Sequence, residues 1–377
     1  YTERGWTVDN LWHIFTDFYG GQYAPLAFLS YLVLYAGFGY DPFYFHMFSL
    51  LLHIGCVCLV WKLISSLLHA HGGVSEKQIL YVNFITTLLF AVHPINVEAV
   101  AWISALKVLL YAFFYLLGLL CYLRYIRTSK IFYYVLTIGC FLCSFWGKEQ
   151  AVTFPLALLI VDWFTNRNMK NLEVWSEKMS FLIMAFFFGI ITVLSQGKGP
   201  YEMIFPLYQR LLFGCFALVE YITKSLLPVN LNFFYPFPIV LGEEPPLHYY
   251  LYPVVLLFLM GWIIAYRNNR YLVFGVLLFL VNLLFSIHLF NMSRHAIVAD
   301  RYMYLSYVGI AFLIANGIWW LRKRLSYFKA ALVFLFFYCF FLSVYTFHYT
   351  KKWENTTMVK KYTKEVLEKR LNGSNHL

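Results

Sequence analysis

His93, Pro94 and Glu98 break an apolar stretch of 47 residues, Leu80 to Ile126, near its middle. Ionisable groups at a membrane boundary are costly, so they are kept mainly where they do chemistry. Five positions apart, His93 and Glu98 cannot share one face of a straight helix. Pro94 ends or kinks the preceding helix and can bring them together. They read either as an acid/base or metal-organising pair, or as a helix cap and an interfacial glutamate. Lys148 and Glu149 follow Gly147 between two apolar runs. A lysine there suits a phosphate oxygen; the alternative is a neutralised pair at a hairpin tip. Arg294, His295, Asp300 and Arg301 form the densest charge cluster on the face predicted to lie outside. A guanidinium can grip a phosphate with two prongs, and Asp300 beside Arg301 could fix its geometry. Tyr302 either lines that site or belongs to an aromatic belt. Lys107 either reaches the same anion or snorkels outward as an anchor. Arg210 and Glu220 read as residues of an interfacial helix.

Elements that position these groups must cross a membrane. The chain is 61% hydrophobic, 21% aromatic and 12% charged, with mean hydropathy +0.65. Soluble domains are about a quarter charged. A crossing needs about 20 apolar residues. On that basis ten spans are predicted, near 43–66, 79–95, 104–125, 131–147, 150–165, 179–195, 250–266, 271–290, 302–321 and 328–348. Segment 207–227 reads as a helix on the outer face, with an eleventh span as the alternative. The fold class is thus an all-α integral membrane bundle of 10–11 transmembrane helices.

The net charge of +11 does not indicate nucleic acid, because most of the basic residues sit in short loops between apolar segments. Four of these loops (Arg124/Arg127/Lys130, Arg167/Lys170/Lys178, Arg267/Arg270 and Arg322/Lys323/Arg324) should be cytoplasmic by the positive-inside rule. Alternation then puts 1–42, 96–103, 147–150, 196–249, 290–301 and the tail from 349 outside, and with them the candidate chemistry. Residues 1–42 should form interfacial helices. The proline- and aromatic-rich loop 228–246 should be an ordered cover. The seven cysteines all lie in apolar segments, so neither disulfides nor zinc are inferred, Cys140-x-x-Cys143 included. Sequons at Asn291, Asn355 and Asn372 fix no source. No internal repeat is evident.

Several elements occur in one order: Tyr23-Ala24-Pro25-Leu26, Gly39 through His46, His93-Pro94-Ile95-Asn96-Val97-Glu98-Ala99-Val100-Ala101-Trp102, Lys148 through Thr153, and Asp300-Arg301-Tyr302-Met303-Tyr304-Leu305. This series resembles the transmembrane-and-TPR O-mannosyltransferases, the TMTC family, and their bacterial relatives, over roughly residues 9–355. The resemblance implies a GT-C-like transmembrane domain over 1–350 and a charged extracytoplasmic tail over 351–377, where tetratricopeptide repeats would begin. It also implies a glycosyltransferase that uses a polyprenyl-phosphate sugar, typically mannose, on the extracytoplasmic side of a bacterial inner membrane or the endoplasmic reticulum. The acceptor would be a protein or a glycan.

Under this resemblance Glu98 and His93 are the catalytic candidates. Arg301, Lys148, Arg294 and His295 would bind the donor phosphate, with Asp300, Glu149, Lys107 and Tyr302 in support. No residue is assigned to a metal, and metal dependence stays open. Three departures stand out. A first span and an acidic pair would lie before Tyr1, which suggests a fragment or a processed chain. The arginine of the family's YRPL element is Ala24. The sequence stops at Leu377 short of any repeats, which either were lost or lie beyond it. A transporter of lipid-linked sugars and a non-catalytic scaffold of the same fold are the competing readings. The few deep charges count against transport.

Overall fold

The computed structural model describes residues 1–19, 21–196, 205–288 and 296–374. Among the described residues the protein is helical, with no strand beyond isolated bridges at Tyr19–Gln22 and Tyr235–Val298. Its α-helices are α1 (Val8–Thr16), α2 (Pro25–Phe38), α3 (Pro42–His71), α4 (Glu76–Val92), α5 (Val97–Ala101), α6 (Leu106–Thr128), α7 (Ile131–Gly147) and α8 (Phe154–Phe164). They continue with α9 (Leu172–Gln196), α10 (Leu207–Leu226), α11 (Leu251–Ala265), α12 (Arg270–Leu283), α13 (Met303–Trp320), α14 (Leu325–Thr350) and α15 (Thr356–Ser374).

Local chemistry sets many of these boundaries. Asp41 accepts the Phe43 N–H at the start of α3, whose first residue is Pro42. Ser75 caps α4, and Asn269 accepts two backbone N–H groups at the start of α12. Such caps satisfy donors that a helix cannot satisfy itself. Helix α4 stops at His93 because Pro94 has no N–H to continue the ladder. The chain resumes in a 3-10 turn, Pro94–Asn96, and then α5, bent by 50° from α4.

Six helical segments among the described residues are long and apolar enough to cross a membrane, or seven if the bent α4–α5 pair is one span. All seven match expected spans. The other three expected spans correspond to shorter helices: α7, α8 and α12 have 17, 11 and 14 residues. Alone, α8 is only about 16 Å long, because the expected span 150–165 begins as a 3-10 turn, Glu149–Thr153. Helix α2, expected at the interface, is a 14-residue apolar helix packed on α6 and α7. Helix α10 is not among the candidate spans.

A core of α3, α4, α6, α12 and α13 surrounds Val60, Phe90, Leu109, Tyr115, Phe279 and Tyr304. Outside it, α11 and α14 bury few residues, and α14 carries a run of outward phenylalanines at 334, 336, 337 and 340. That much exposed apolar surface fits lipid contact. At one end of the bundle, Asp162 and Lys178 form a fully buried ion pair at 2.5 Å, and Arg167 grips Glu177 at 2.7 and 3.0 Å. The Tyr122 hydroxyl donates to Asp162, which ties α6 to α8 and α9.

Helices α12 and α13 meet backbone to backbone. A Cβ on Gly309 would lie 2.5 Å from the Gly275 carbonyl oxygen and 2.7 Å from the Phe279 nitrogen. Small residues allow this close approach between helices in lipid. Gly309→Ala is therefore expected to force the pair apart and to cost about 1–3 kcal/mol. A lowered unfolding midpoint in detergent would report it; an unchanged midpoint would mean the helices are not this close.

Candidate functional site

Glu98 sits on the short α5, its side chain fully buried. Among the described residues its two oxygens have one partner residue, Arg301, in the 3-10 turn Asp300–Tyr302 that opens α13. The Arg301 backbone N–H donates to Oε2 at 2.7 Å and its Nη1 to Oε1 at 2.5 Å. The guanidinium lies over the rings of Trp102 (5.3 Å) and Tyr302 (5.1 Å). Lys148, buried in the turn between α7 and α8, places its Nζ 4.5 Å from the centre of the same Tyr302 ring. Lys107, one turn into the next span, donates to Gln22 and feels the charges of Glu149 and Arg301. Glu149 is half-buried and makes no ion pair among the described residues. Residues up to 203 positions apart thus meet at one end of the bundle.

Gly147 makes this possible for Lys148. A Cβ there would lie 2.7 Å from the Tyr111 nitrogen, so only glycine lets the end of α7 lie against α6. Gln150 donates to Ser286 at 2.8 Å and anchors the same turn to the segment after α12.

Two expected pairings take a different form. Asp300 does not orient Arg301. It is fully buried and accepts the Tyr235 hydroxyl at 2.9 Å on both oxygens, with the Lys224 ammonium 3.8 Å away. The reason is geometric: neighbours in a 3-10 turn project in different directions, so Glu98 takes the guanidinium and the cover loop takes Asp300. Nor does His93 bond to Glu98. Its Nδ1 accepts the Ile95 N–H at 3.2 Å, capping the 3-10 turn, and its ring packs on Tyr307 at 4.1 Å. The capping alternative describes His93 as observed. Arg294 and His295 lie outside the described residues.

Tyr235 gave no sequence signal beyond its place in an aromatic loop. Its hydroxyl accepts from Lys224 Nζ and from the Asn232 N–H, each at 2.7 Å, while donating to Asp300. Burial, then the charge of Asp300, pushes this phenol well above its ordinary value. With the bond from Ile297 N–H to the Tyr235 carbonyl, this makes 228–246 the ordered cover expected. Lys224, read from sequence as a residue of an interfacial helix, is buried in this network. Trp102 was visible in its motif, but nothing in the sequence gave it a role against Arg301.

Beside Trp102 a cavity of about 840 Å³ opens between the start of α3, the turn Ala101–Ser104, Phe233–Phe234 and the first half of α15. Trp102, Phe233 and Trp353 give it aromatic walls; Ser104, Asn355 and Thr363 supply polar groups. Tyr362 bonds to the Leu231 carbonyl and Thr363 to the Asn232 side chain, so α15 is fastened to the cover loop. Among the described residues no group of three His, Cys, Asp or Glu side chains is placed to hold a metal ion.

No protein-family model and no solved structure matches the chain. Curated proteins do. Over 189 residues it is 33% identical to protein O-mannosyl-transferase TMTC2 of Homo sapiens, covering 46% of this chain and 21% of that protein. Over 203 residues it is 30% identical to the tmtc2 protein of Xenopus laevis, covering 49% and 23%. Over 172 residues it is 28% identical to Tmtc3 of Drosophila melanogaster, covering 41% and 18%. The match therefore spans about a fifth of the length of these relatives. Over that stretch the chain is similar to the TMTC protein O-mannosyl-transferases.

Proposed function

We propose that this protein is a membrane glycosyltransferase that moves a sugar, mannose by the names of its relatives, from a polyprenyl phosphate to an acceptor hydroxyl on the extracytoplasmic side. The observation that carries the reading is the Tyr302 ring, against which two cations from distant elements, Arg301 and Lys148, converge. Two cations gathered on one ring favour an anion beside them, even with Glu98 balancing Arg301. The phosphate of the donor supplies that anion.

In the reaction the bond between the sugar's anomeric carbon and the phosphate oxygen breaks. The acceptor oxygen bonds to that carbon, and the polyprenyl phosphate leaves with the bonding electrons. Arg301 and Lys148 stabilise the negative charge that grows on the leaving phosphate. Glu98 is a positioning residue, since its bonds hold both the backbone and the guanidinium of Arg301. The acceptor's proton leaves through water or through Glu149, because the oxygens of Glu98 and Asp300 are already engaged. The aromatic and polar walls of the cavity beside Trp102 suit the acceptor, a protein hydroxyl by the names of the relatives.

The test uses the protein in liposomes with radiolabelled mannosyl-phosphoryl polyprenol and a serine- and threonine-rich peptide. Label should pass to the peptide as free polyprenyl phosphate accumulates. Intact donor would overturn the reading. In the same assay Glu98→Gln should slow transfer about tenfold, the size of one weakened charge-assisted contact. Added to Arg301→Ala it should cost nothing more, because the two residues act as a unit. Additive losses would assign Glu98 a separate role.

A further inference from the structure

A second cavity, of about 630 Å³, opens at the other end of α6. Arg124 lies 17 positions beyond Lys107 on that helix, about 25 Å along its axis. Lys62, Arg124 and Arg127 all line this cavity, with the hydroxyl groups of Ser65 and Ser66, and no Asp or Glu does so. The three cations are exposed and none makes an ion pair with a carboxylate among the described residues. Lys62 is the only Asp, Glu, Lys or Arg in the 30 residues of α3, so its place on the wall facing α6 is set by nothing else charged on its own helix.

The rest of the lining is graded. Trp61 and Tyr133 stand at the basic end, where indole and phenol rings favour the headgroup layer. Leu59, Leu117 and Leu120 precede Lys62 and Arg124 along α3 and α6, and so lie toward the middle of the span. The offsets are three to seven residues, about 4–10 Å. The cavity is thus cationic at the membrane surface and aliphatic below it, the same order as a phospholipid's headgroup and chains.

We propose that this cavity is a binding site for an anionic phospholipid of the leaflet opposite the candidate active site. The phosphate and its second negative group lie between Lys62, Arg124 and Arg127, with Ser65 and Ser66 donating to phosphate oxygens. The acyl chains descend along Leu59, Leu117 and Leu120. Free phosphate would meet the same cations but would leave the aliphatic wall empty, which separates the two sources. Juxtamembrane cations attract anionic lipid by roughly 1 kcal/mol each, but only cations gathered on one cavity select a single bound molecule.

The test is native mass spectrometry of the delipidated full chain titrated with a phosphatidylglycerol, with phosphatidylcholine as the neutral comparison. One phosphatidylglycerol should bind in preference to phosphatidylcholine. Lys62→Gln, Arg124→Gln and Arg127→Gln should each weaken it about fivefold, and Leu120→Ser should weaken it without removing a charge. The triple variant Arg322→Gln, Lys323→Gln, Arg324→Gln neutralises an equally basic turn outside the cavity and should leave that affinity unchanged. Equal binding of the two lipids, or an equal loss in the control triple, would overturn the proposal. Displacement of the lipid by millimolar inorganic phosphate would also overturn it, in favour of a free-anion site.

Discussion

Arg301→Ala is expected to cut the proposed sugar transfer to a small remainder while the protein still inserts and folds. This is the outcome expected if the guanidinium holds the donor phosphate through the reaction. The phosphate is negative before bond cleavage and gains leaving-group charge during it. An arginine side chain stays protonated at every relevant pH, so it serves both states. Its position is defined by the Glu98 carboxylate and by two aromatic rings. Losing one such charge-assisted contact, worth roughly 2–4 kcal/mol, implies a fall in rate of about 30- to 1000-fold. Arg301→Lys should recover only part of this, because an ammonium replaces a planar fork with a point charge. Glu98 would then lie buried without its ion-pair partner, so folding is checked with Arg301→Ala and Glu98→Gln combined, which removes both charges. Near-normal transfer by a folded Arg301→Ala protein would make this residue a structural anchor.

The second large effect concerns stability. Asp162→Ala leaves Lys178 buried with only Glu177, at 3.0 Å, to balance it. It also removes the nearer acceptor of the Tyr122 hydroxyl, leaving Glu177 Oε2 at 3.3 Å. Breaking a buried pair from one side costs about 3–5 kcal/mol, and Glu177 should hold the loss near the low end. Asp162→Asn retains an acceptor for both neighbours and should lose less. Thermal unfolding in detergent measures the order. Equal midpoints for wild type and Asp162→Ala would mean that this network carries no stability.

The sequence read well wherever apolar length or a proline carried the information. Seven of the ten expected spans are long helices or the bent α4–α5 pair, and the break at Pro94 falls where its missing N–H requires. Reading failed where side-chain direction mattered. Asp300 and Arg301 are adjacent in the chain, which suggested that they are partners. A 3-10 turn sends them apart, and the partner of Arg301 is 203 residues away. Tyr235 was hidden for a related reason: the hydroxyl that organises Lys224 and Asp300 sits in a loop whose aromatic residues are indistinguishable by type. Glu98 and Lys148 could be singled out because a charge within an apolar run is rare, whatever the partner.

The grip of Glu98 on Arg301 has a mechanical consequence. Both bonds run to one residue at the head of α13, so the guanidinium cannot shift without the rod behind it. That rod is clamped at Gly309, eight residues and about 12 Å along its axis, where it touches α12 backbone to backbone. Sliding or turning α13 in that clamp would carry Arg301 past Lys148. The spacing of the two cations is thus gauged at the contact of two glycines, which carry no side chain at all.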